Sequence, residues 1–377
     1  MRIGIVCYPT FGGSGVLATE LGMALADKGH EVHFVTYNQP VRLDFISHDL
    51  HFHEVLIEEY PLFQYQPYEL ALSTKLVEVV SKHNLEILHV HYAIPHAYAA
   101  YMAKMMLKEK GIDIKVVTTL HGTDITLVGS HPTYKTAVEF SINNSDVVTS
   151  VSESLRQDTL RLFKITNEIK VVHNFIDTDK YDRESLNECQ RIAVAKPDER
   201  ILTHISNFRP VKRIEDVIKI FHIVRKDISS KLLMVGEGPE KRKAELLVKN
   251  LGISDHVIFL GNSNEIAKIL CYTDVFLLPS ENESFGLSAL EAMAAKTAII
   301  STNTGGLPEV NVDGVTGYLS NLGDVEDMAR NTLSILKDDS TLSRFKANAK
   351  EHTKKFSLEN ILPIYENIYS SVLEKGH

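Results

Sequence analysis

The chain has 377 residues, of which 44% are hydrophobic and 24% are charged, and its formal net charge is −9 at pH 7. These values are typical of a folded globular protein that is too long for one ordinary core, so we expect two domains. Residues 1–174 carry 14 Lys and Arg against 19 Asp and Glu, a net charge of −5 that leaves −4 for the remainder. Neither half has the basic character of a nucleic-acid-binding protein, so we predict no nucleic-acid partner.

Cysteine usage and the amino terminus bear on the compartment. The three cysteines, Cys7, Cys189 and Cys271, lie far apart and are odd in number, a pattern that favours a reducing cytoplasm. The chain begins directly with a strand-like segment, and no segment approaches ~18 uninterrupted apolar residues. We therefore predict a cytoplasmic protein with no secretion signal and no membrane partner.

The first elements have the order of a βαβ unit. They are a strand at 2–8, a glycine turn at 12–15, a helix at 16–28 and a strand at 30–36. Gly13, Gly15 and Ala18 match the dinucleotide pattern G-x-G-x-x-A, but the acid expected about 20 residues later is missing. This absence argues against nicotinamide binding. The turn still directs backbone amides and Ser14 to a helix amino terminus, where a phosphate or a carboxylate can bind.

The same alternation of strand, polar turn and helix continues along the chain. Further strands are predicted at 87–90, 115–120, 146–151, 170–173, 201–205, 231–235, 257–260, 275–278 and 297–301. Residues 174–200 lack clean periodicity, so we place the crossing between two domains there. The result is an α/β fold with domains at 1–175 and 176–355, and with a last helix, within 356–377, that we expect to pack back on the first domain.

The turn after the strand 275–278 lies at the carboxyl end of a buried parallel strand, where ligands bind in doubly wound sheets. The next helix would present its first amides there, from Phe285, Gly286 and Leu287. Glu283 before this helix and Glu291 inside it add carboxylates to an anion site. Carboxylates accept hydrogen bonds from hydroxyl groups, so this combination indicates a phosphorylated ligand flanked by hydroxyls, such as a nucleotide sugar. Helix capping and solvation are the alternative interpretation.

Three cations, Arg209, Lys212 and Arg213, follow the strand 201–205. Cations at this position would neutralise a diphosphate and its growing charge as a leaving group. A solvated basic turn is the alternative. The sequence leaves open which of Lys212 and Arg213 points toward the ligand.

Histidines and acids also raise the question of a metal. The 17 histidines include two pairs that each face one way on a strand, His51 with His53 and His89 with His91. Zinc would need further ligands, and the sequence shows no recognisable set, so we predict no metal cofactor. The Asp-x-Asp at 177–179 lies in the predicted crossing and is interpreted as solvated or helix-capping.

Several segments together carry a resemblance to retaining glycosyltransferases of family 4, and they cover nearly the whole chain. They are CYPTFGGSG, HVHYAIPHA, TLHGTDIT, ISNFRPVKR, GEGPE, ESFGLSALEAMA, GGLPE and DGVTGYL. The resemblance implies the GT-B fold, two facing Rossmann-like doubly wound domains with a deep cleft between them. One departure is at residues 295–299, where relatives usually have a glycine and a proline and this chain has Lys296 and Ala298.

The combination of segments is most similar to the branch of the family that begins bacillithiol biosynthesis. This resemblance implies UDP-N-acetylglucosamine as donor, L-malate as acceptor and retention at the anomeric carbon. By the same resemblance, Glu291 holds the ribose, Glu283 the donor-sugar hydroxyls, and Arg209 with Lys212 the diphosphate. His121 meets the donor sugar, and the turn that includes Gly15 contributes amides.

The acceptor site must be argued from the first domain. That domain has only four arginines, none in a predicted site turn, so backbone amides at residues 12–15 would bind a dicarboxylate, aided by Ser14, Tyr92 and Thr119. Two alternatives remain: transfer to a lipid or inositol acceptor, against which the net charge of −5 argues, and a nucleotide-sugar binder without turnover. The sequence leaves the oligomeric state open, with a homo-oligomer as one option.

Overall fold

The computed structural model describes residues 1–10, 13–43, 48–57, 65–181 and 191–374. Their contacts divide the chain into two compact units. Unit 1 comprises Met1–Phe175 and Leu358–His377, and unit 2 comprises Ile176–Ser357. In the described part of the chain, no helix combines the length and the apolar character that crossing a membrane requires.

Unit 1 is built on a seven-stranded parallel sheet. Its strands are Arg2–Val6 (β1), Glu31–Thr36 (β2), Leu50–Glu54 (β3), Ile87–His91 (β4), Lys115–Leu120 (β5), Val147–Ser150 (β6) and Ile169–Val171 (β7). Its helices are Gly13–Asp27 (α1), Tyr68–His83 (α2), Tyr98–Lys108 (α3), Pro132–Asn143 (α4), Glu153–Leu162 (α5) and Leu358–Glu374 (α13). The strand order is β3-β2-β1-β4-β5-β6-β7.

Unit 2 repeats this plan with six parallel strands in the order β10-β9-β8-β11-β12-β13. The strands are Arg200–Ile205 (β8), Ser230–Val235 (β9), Val257–Gly261 (β10), Val275–Leu278 (β11), Ala298–Thr302 (β12) and Gly317–Ser320 (β13). The helices are Ile214–Val224 (α6), Lys241–Asn250 (α7), Ile266–Cys271 (α8), Leu287–Ala294 (α9), Leu307–Val310 (α10), Val325–Leu336 (α11) and Asp339–Thr353 (α12).

Both strand orders have the Rossmann-like pattern, in which the chain reverses its winding direction between the first and fourth strands. The reversal lies between β1 and β4 in unit 1 and between β8 and β11 in unit 2. Connections at such a point leave in opposite directions, so the two carboxyl ends border a crevice. The predicted fold class, two Rossmann-like doubly wound domains, is therefore confirmed within each unit.

Two local predictions need correction. Helix α1 begins at Gly13, so Ser14 and Gly15 belong to its first turn rather than to a preceding loop, and Gly12 lies outside the described residues. Helix α9 begins at Leu287 rather than near Phe285, because Gly286 precedes it at a φ of 100°, a conformation that glycine adopts without strain.

The two described cysteines differ in their bonding. Cys7 is a free buried thiol, whereas Cys271 takes part in a disulfide. Disulfides are typical of oxidising compartments. The bonding of Cys271 does not decide the compartment, and the cytoplasmic location stays a prediction.

Candidate active site

Lys212 and Glu283 meet at the reversal point of unit 2. Lys212 ends a short 3-10 turn after β8, and Glu283 lies in the turn after β11. The Lys212 Nζ atom is 2.5 Å from Oε1 of Glu283, and their side chains are only 19% and 13% exposed. Ser280 donates a second hydrogen bond to the same carboxylate oxygen, at 2.9 Å. A partly buried, hydrogen-bonded carboxylate is thereby held beside a cation at the position where a nucleotide is expected.

The neighbouring cations have different surroundings. Arg213 donates from Nε to Asp216 at 2.5 Å, so its side chain is paired with the first turn of α6. Lys212, and not Arg213, therefore contacts the turn that contains Glu283. Arg209 is exposed, immediately before the short turn. The two turns are joined by a backbone hydrogen bond of 2.8 Å, from the Glu281 amide to the Val211 carbonyl.

Two glycines after β12 hold the Glu283 backbone in place. The Gly306 amide donates to the Glu283 carbonyl at 2.8 Å. A Cβ atom on Gly305 would lie 2.1 Å from that same carbonyl oxygen, and Gly305 has a φ of 56°. Only glycine fits at this position, which explains the motif GGLPE in physical terms.

Glu291 lies within α9, one turn and a half after Gly286. Its Oε1 atom accepts a hydrogen bond of 2.9 Å from the Tyr181 hydroxyl. Helix α9 begins at Leu287. Because the first backbone amides of a helix have no acceptor within the helix, the amides of Leu287 and Ser288 can donate to an anion. Phe285 is buried and its ring packs edge-on against Phe356 at 5.5 Å, so its side chain anchors the turn.

Ser14 and Tyr92 meet at the reversal point of unit 1. Ser14 is in the first turn of α1, after β1, and Tyr92 directly follows β4. Their hydroxyl oxygens are 2.6 Å apart. Tyr92 has a φ of 85°, a strained conformation for a residue with a side chain, and such strain is concentrated at functional sites. Gly15 is required by packing, because a Cβ atom there would lie 2.4 Å from the Tyr8 carbonyl.

His121 follows β5 and contacts His91, the last residue of β4. The Nε2 atom of His121 is 2.8 Å from Nδ1 of His91. The two imidazole rings are stacked, with their centroids 5.1 Å apart. Burial lowers the pKa of His121 to about 3 and that of His91 well below its ordinary value. Both rings are therefore neutral at pH 7, and each has one N–H.

The tautomers follow from the surroundings of His91. Its Nε2 atom is buried and has no hydrogen-bond partner among the described residues. An unpaired lone pair is a more common buried defect than an unpaired N–H, so we place the proton of His91 on Nδ1. His91 then donates to Nε2 of His121, and the proton of His121 is on Nδ1. His121 can use this N–H as a neutral donor toward a sugar hydroxyl or carbonyl.

Asp124 organises the turn that contains His121. One carboxylate oxygen accepts from the amides of His121 at 3.2 Å and Gly122 at 2.9 Å, and the other accepts from Ala93 at 2.8 Å. The side chain is buried, and burial raises the pKa of Asp124 to about 6 despite these amides. Asp124 thus links the turns after β4 and β5.

The Thr119 carbonyl accepts from the Tyr92 amide at 2.9 Å, but the Thr119 side chain is directed away from the hydroxyls of Ser14 and Tyr92. Its hydroxyl is 2.8 Å from Nε2 of His89 and 2.7 Å from the Thr149 hydroxyl, and the residue is 1% exposed. The other ring nitrogen of His89 is 2.7 Å from the Tyr369 hydroxyl. The prediction that Thr119 contacts the acceptor does not fit this position, since its hydroxyl is committed to a buried network.

Sequence reasoning missed four residues of these sites, namely Ser280, Tyr181, Asp124 and His91 as the partner of His121. Only Asp124 had a local signal, because an Asp in the turn that follows a strand end, here four residues after Leu120, is typical of a residue that caps the turn. The contact between Tyr181 and Glu291 joins residues 110 apart in sequence and has no such signal.

The Asp-x-Asp sequence is not part of either site. Asp177 accepts from the Asp179 amide at 3.2 Å and is 3.5 Å from Lys180 Nζ, the geometry of a capped turn. Within the described ranges, the groups of side chains with metal-ligand spacing all lie around β2 and β3, away from both reversal points.

The comparisons with known proteins agree with this geometry. Residues 11–180 match the family described as Glycosyltransferase Family 4, and residues 187–352 match Glycosyl transferases group 1. The chain is 47% identical over 374 residues to the N-acetyl-alpha-D-glucosaminyl L-malate synthase of Bacillus anthracis. The matched segment covers 99% of this chain and 97% of the relative. The chain belongs to glycosyltransferase family 4. The predicted enzyme class is therefore confirmed.

Solved structures of other glycosyltransferases share the fold. Sucrose-phosphate synthase from Thermosynechococcus elongatus has a TM-score of 0.81 at 22% identity, and the match covers all of both chains. HepE from Anabaena, solved with UDP and glucose, has a TM-score of 0.81 at 17% identity, with 98% of this chain and 100% of that chain covered. These matches support the GT-B class for this family 4 chain.

Proposed function

We propose that this family 4 glycosyltransferase transfers N-acetylglucosamine from UDP-N-acetylglucosamine to the hydroxyl of L-malate, with retention at the anomeric carbon, as the first step of bacillithiol biosynthesis. The observation that carries the proposal is the 47% identity, over 99% of the chain, to a relative named for this product. The paired polar groups at the two reversal points supply the chemistry that both substrates need.

Unit 2 would bind the donor. Lys212, Arg209 and the first amides of α9 neutralise the diphosphate, which becomes the leaving group. Glu291 accepts from the ribose hydroxyls, and Glu283 accepts from the sugar hydroxyls. The pairing of Lys212 with Glu283 supports these roles, because it holds a cation and an acceptor 2.5 Å apart where the turns after β8 and β11 meet. A diphosphate that attracts Lys212 would leave the Glu283 carboxylate available to the sugar.

Unit 1 would bind the acceptor and assist the sugar. The amides of the first turn of α1, with the hydroxyls of Ser14 and Tyr92, offer donors to a carboxylate. The neutral His121 donates from Nδ1 to the donor sugar. Retention without an evident nucleophile favours attack from the face of the departing phosphate, whose oxygen takes the acceptor proton. The leaving phosphate thus acts as the base for the acceptor hydroxyl, and the step requires no metal ion.

The test is UDP release with a panel of acceptors, with products identified by mass spectrometry. L-malate should be glycosylated efficiently. Lactate, which lacks one carboxylate, should be poor, and succinate, which lacks the hydroxyl, should be inert. Efficient transfer to inositol phosphate or to a lipid, and not to malate, would refute the acceptor while retaining the donor. UDP-sugar binding without turnover on any acceptor would refute the enzymatic proposal.

A further inference from the structure

Four histidines gather on one face of unit 1 where β3 forms the edge of the sheet. His33 lies in β2, and it is paired in register with His51 of β3. His53 follows two residues later and so points to the same face as His51. His83, the last residue of α2, covers this face. Neither the family comparison nor the proposed transfer assigns a role to these rings.

Three of the rings present nitrogen atoms to a common point. The Nδ1 atom of His33 is 2.8 Å from Nε2 of His53. The His83 ring centroid is 4.5 Å from that of His33 and 5.1 Å from that of His53. One nitrogen from each of the three residues lies within 4.8 Å of the others. A tetrahedral zinc ion with bonds of 2.0–2.1 Å separates its ligand nitrogens by about 3.3 Å, so small side-chain rotations would suffice.

Glu31 supplies the outer partner that metal-binding histidines normally have. Its Oε1 atom is 3.0 Å from Nε2 of His33, the nitrogen on the other side of the ring from His53. A carboxylate that accepts the second N–H fixes the tautomer and leaves Nδ1 with its lone pair for a metal.

We propose that His33, His53 and His83 form a binding site for one Zn²⁺ ion, with Glu31 orienting His33 and a water molecule completing the tetrahedron. The three residues come from β2, β3 and the end of α2, so the ion would join the edge strand to its neighbours. The catalytic residues of unit 1 follow the carboxyl ends of β1, β4 and β5, whereas His33 pairs across the sheet with Gly4, inside β1. The role of the ion is therefore structural.

The test uses full-length, untagged protein, stripped of metal and titrated with Zn²⁺ against a chromogenic chelator. We expect one tight site per chain. His53→Gln and His83→Gln should each weaken binding by more than about a hundredfold, and Glu31→Gln by about ten- to a hundredfold, as for outer partners of metal ligands. His48→Gln is the matched control, because this side chain is 99% exposed near the start of β3 and should leave binding unchanged.

Co²⁺ provides a second measurement that does not depend on the variants. Bound at this site, Co²⁺ should give the intense visible bands of tetrahedral coordination. Failure of the native chain to bind one Zn²⁺ tightly, or weak bands of octahedral Co²⁺, would overturn the proposal. Loss of binding on His51→Gln but not on His53→Gln or His83→Gln would also overturn it, because it would assign the ion to Glu31, His33 and His51 instead.

Discussion

The ammonium group of Lys212 lies 2.5 Å from the carboxylate of Glu283, although the two side chains are assigned to different parts of the donor. Under the proposed assignments, the carboxylate would compete with the diphosphate for the same cation. This competition changes what substitutions at the two glutamates of unit 2 should do.

Glu283→Gln should leave UDP affinity unchanged or increase it slightly, because Lys212 loses its carboxylate partner, while the transfer rate falls. Glu291→Gln should weaken UDP itself by about ten- to a hundredfold, the range for a lost charged hydrogen bond of roughly 1.5–3 kcal/mol. Calorimetric titration with UDP, together with the steady-state rate, separates these effects. A similar loss of UDP affinity in both variants would contradict the assigned roles.

Ser14→Ala and Tyr92→Phe should raise the KM for malate more than the KM for the donor. The two hydroxyls share one hydrogen bond of 2.6 Å. The increase in the malate KM of the double variant should therefore be smaller than the product of the increases in the two single variants. Tyr134→Phe is the control, because this tyrosine of unit 1 is 46% exposed. Strictly multiplicative effects would show that the hydroxyls act independently.

The pH profile of kcat/KM should reflect Asp124 rather than His121. A pKa of about 3 keeps His121 neutral throughout the assay range, whereas Asp124, with a pKa of about 6, gains a proton as the pH falls and then holds its three amides less well. We expect kcat/KM to decline below about pH 6. In Asp124→Asn this decline should be absent, and kcat/KM should be lower than in the native enzyme at every pH. A decline that persists in Asp124→Asn and disappears in His121→Asn would assign the titration to His121.

Transfer should not need a metal ion, because in the proposed site Lys212, Arg209 and helix amides would neutralise the diphosphate. Activity should persist after exhaustive chelation, even if Zn²⁺ is lost from the histidine site and the thermal midpoint falls. Loss of activity that Mg²⁺ or Mn²⁺ restores would contradict this prediction and would return attention to Asp177 and Asp179.

Tyr369→Phe should destabilise unit 1 by about 1–3 kcal/mol, the cost of leaving a buried hydrogen-bonding group unpaired, here Nδ1 of His89. Urea unfolding measures the change, and Tyr134→Phe again provides an exposed tyrosine for comparison. An unchanged midpoint would show that His89 finds another partner.

Local sequence patterns determined much of the fold. The strand Val275–Leu278 has the predicted bounds, because a four-residue apolar run lies between Asp274 and Pro279. The departure at Lys296 also has a structural outcome. Lys296 has a φ of 60°, in the left-handed region that favours glycine, so the turn forms at the cost of local strain.

Contacts between distant residues could not be predicted in this way. Lys212 and Glu283 are 71 residues apart, and the choice between Lys212 and Arg213 depends on Arg213 pairing with Asp216. The histidine cluster shows the same limit. The pair His51 and His53 was evident from alternation, but His33 and His83 join it only because β3 lies beside β2 and α2 ends over that edge.

The position of Tyr369 near the end of the chain affects the order in which the two units can fold during translation. His89 and Thr119 leave the ribosome early, but the helix that carries their partner is made after all of unit 2. The main core cluster of unit 2 is drawn entirely from its own continuous segment, and domains generally fold as units as they emerge. Unit 2 can therefore finish folding first, and His89 meets its Tyr369 partner only after translation reaches the last helix.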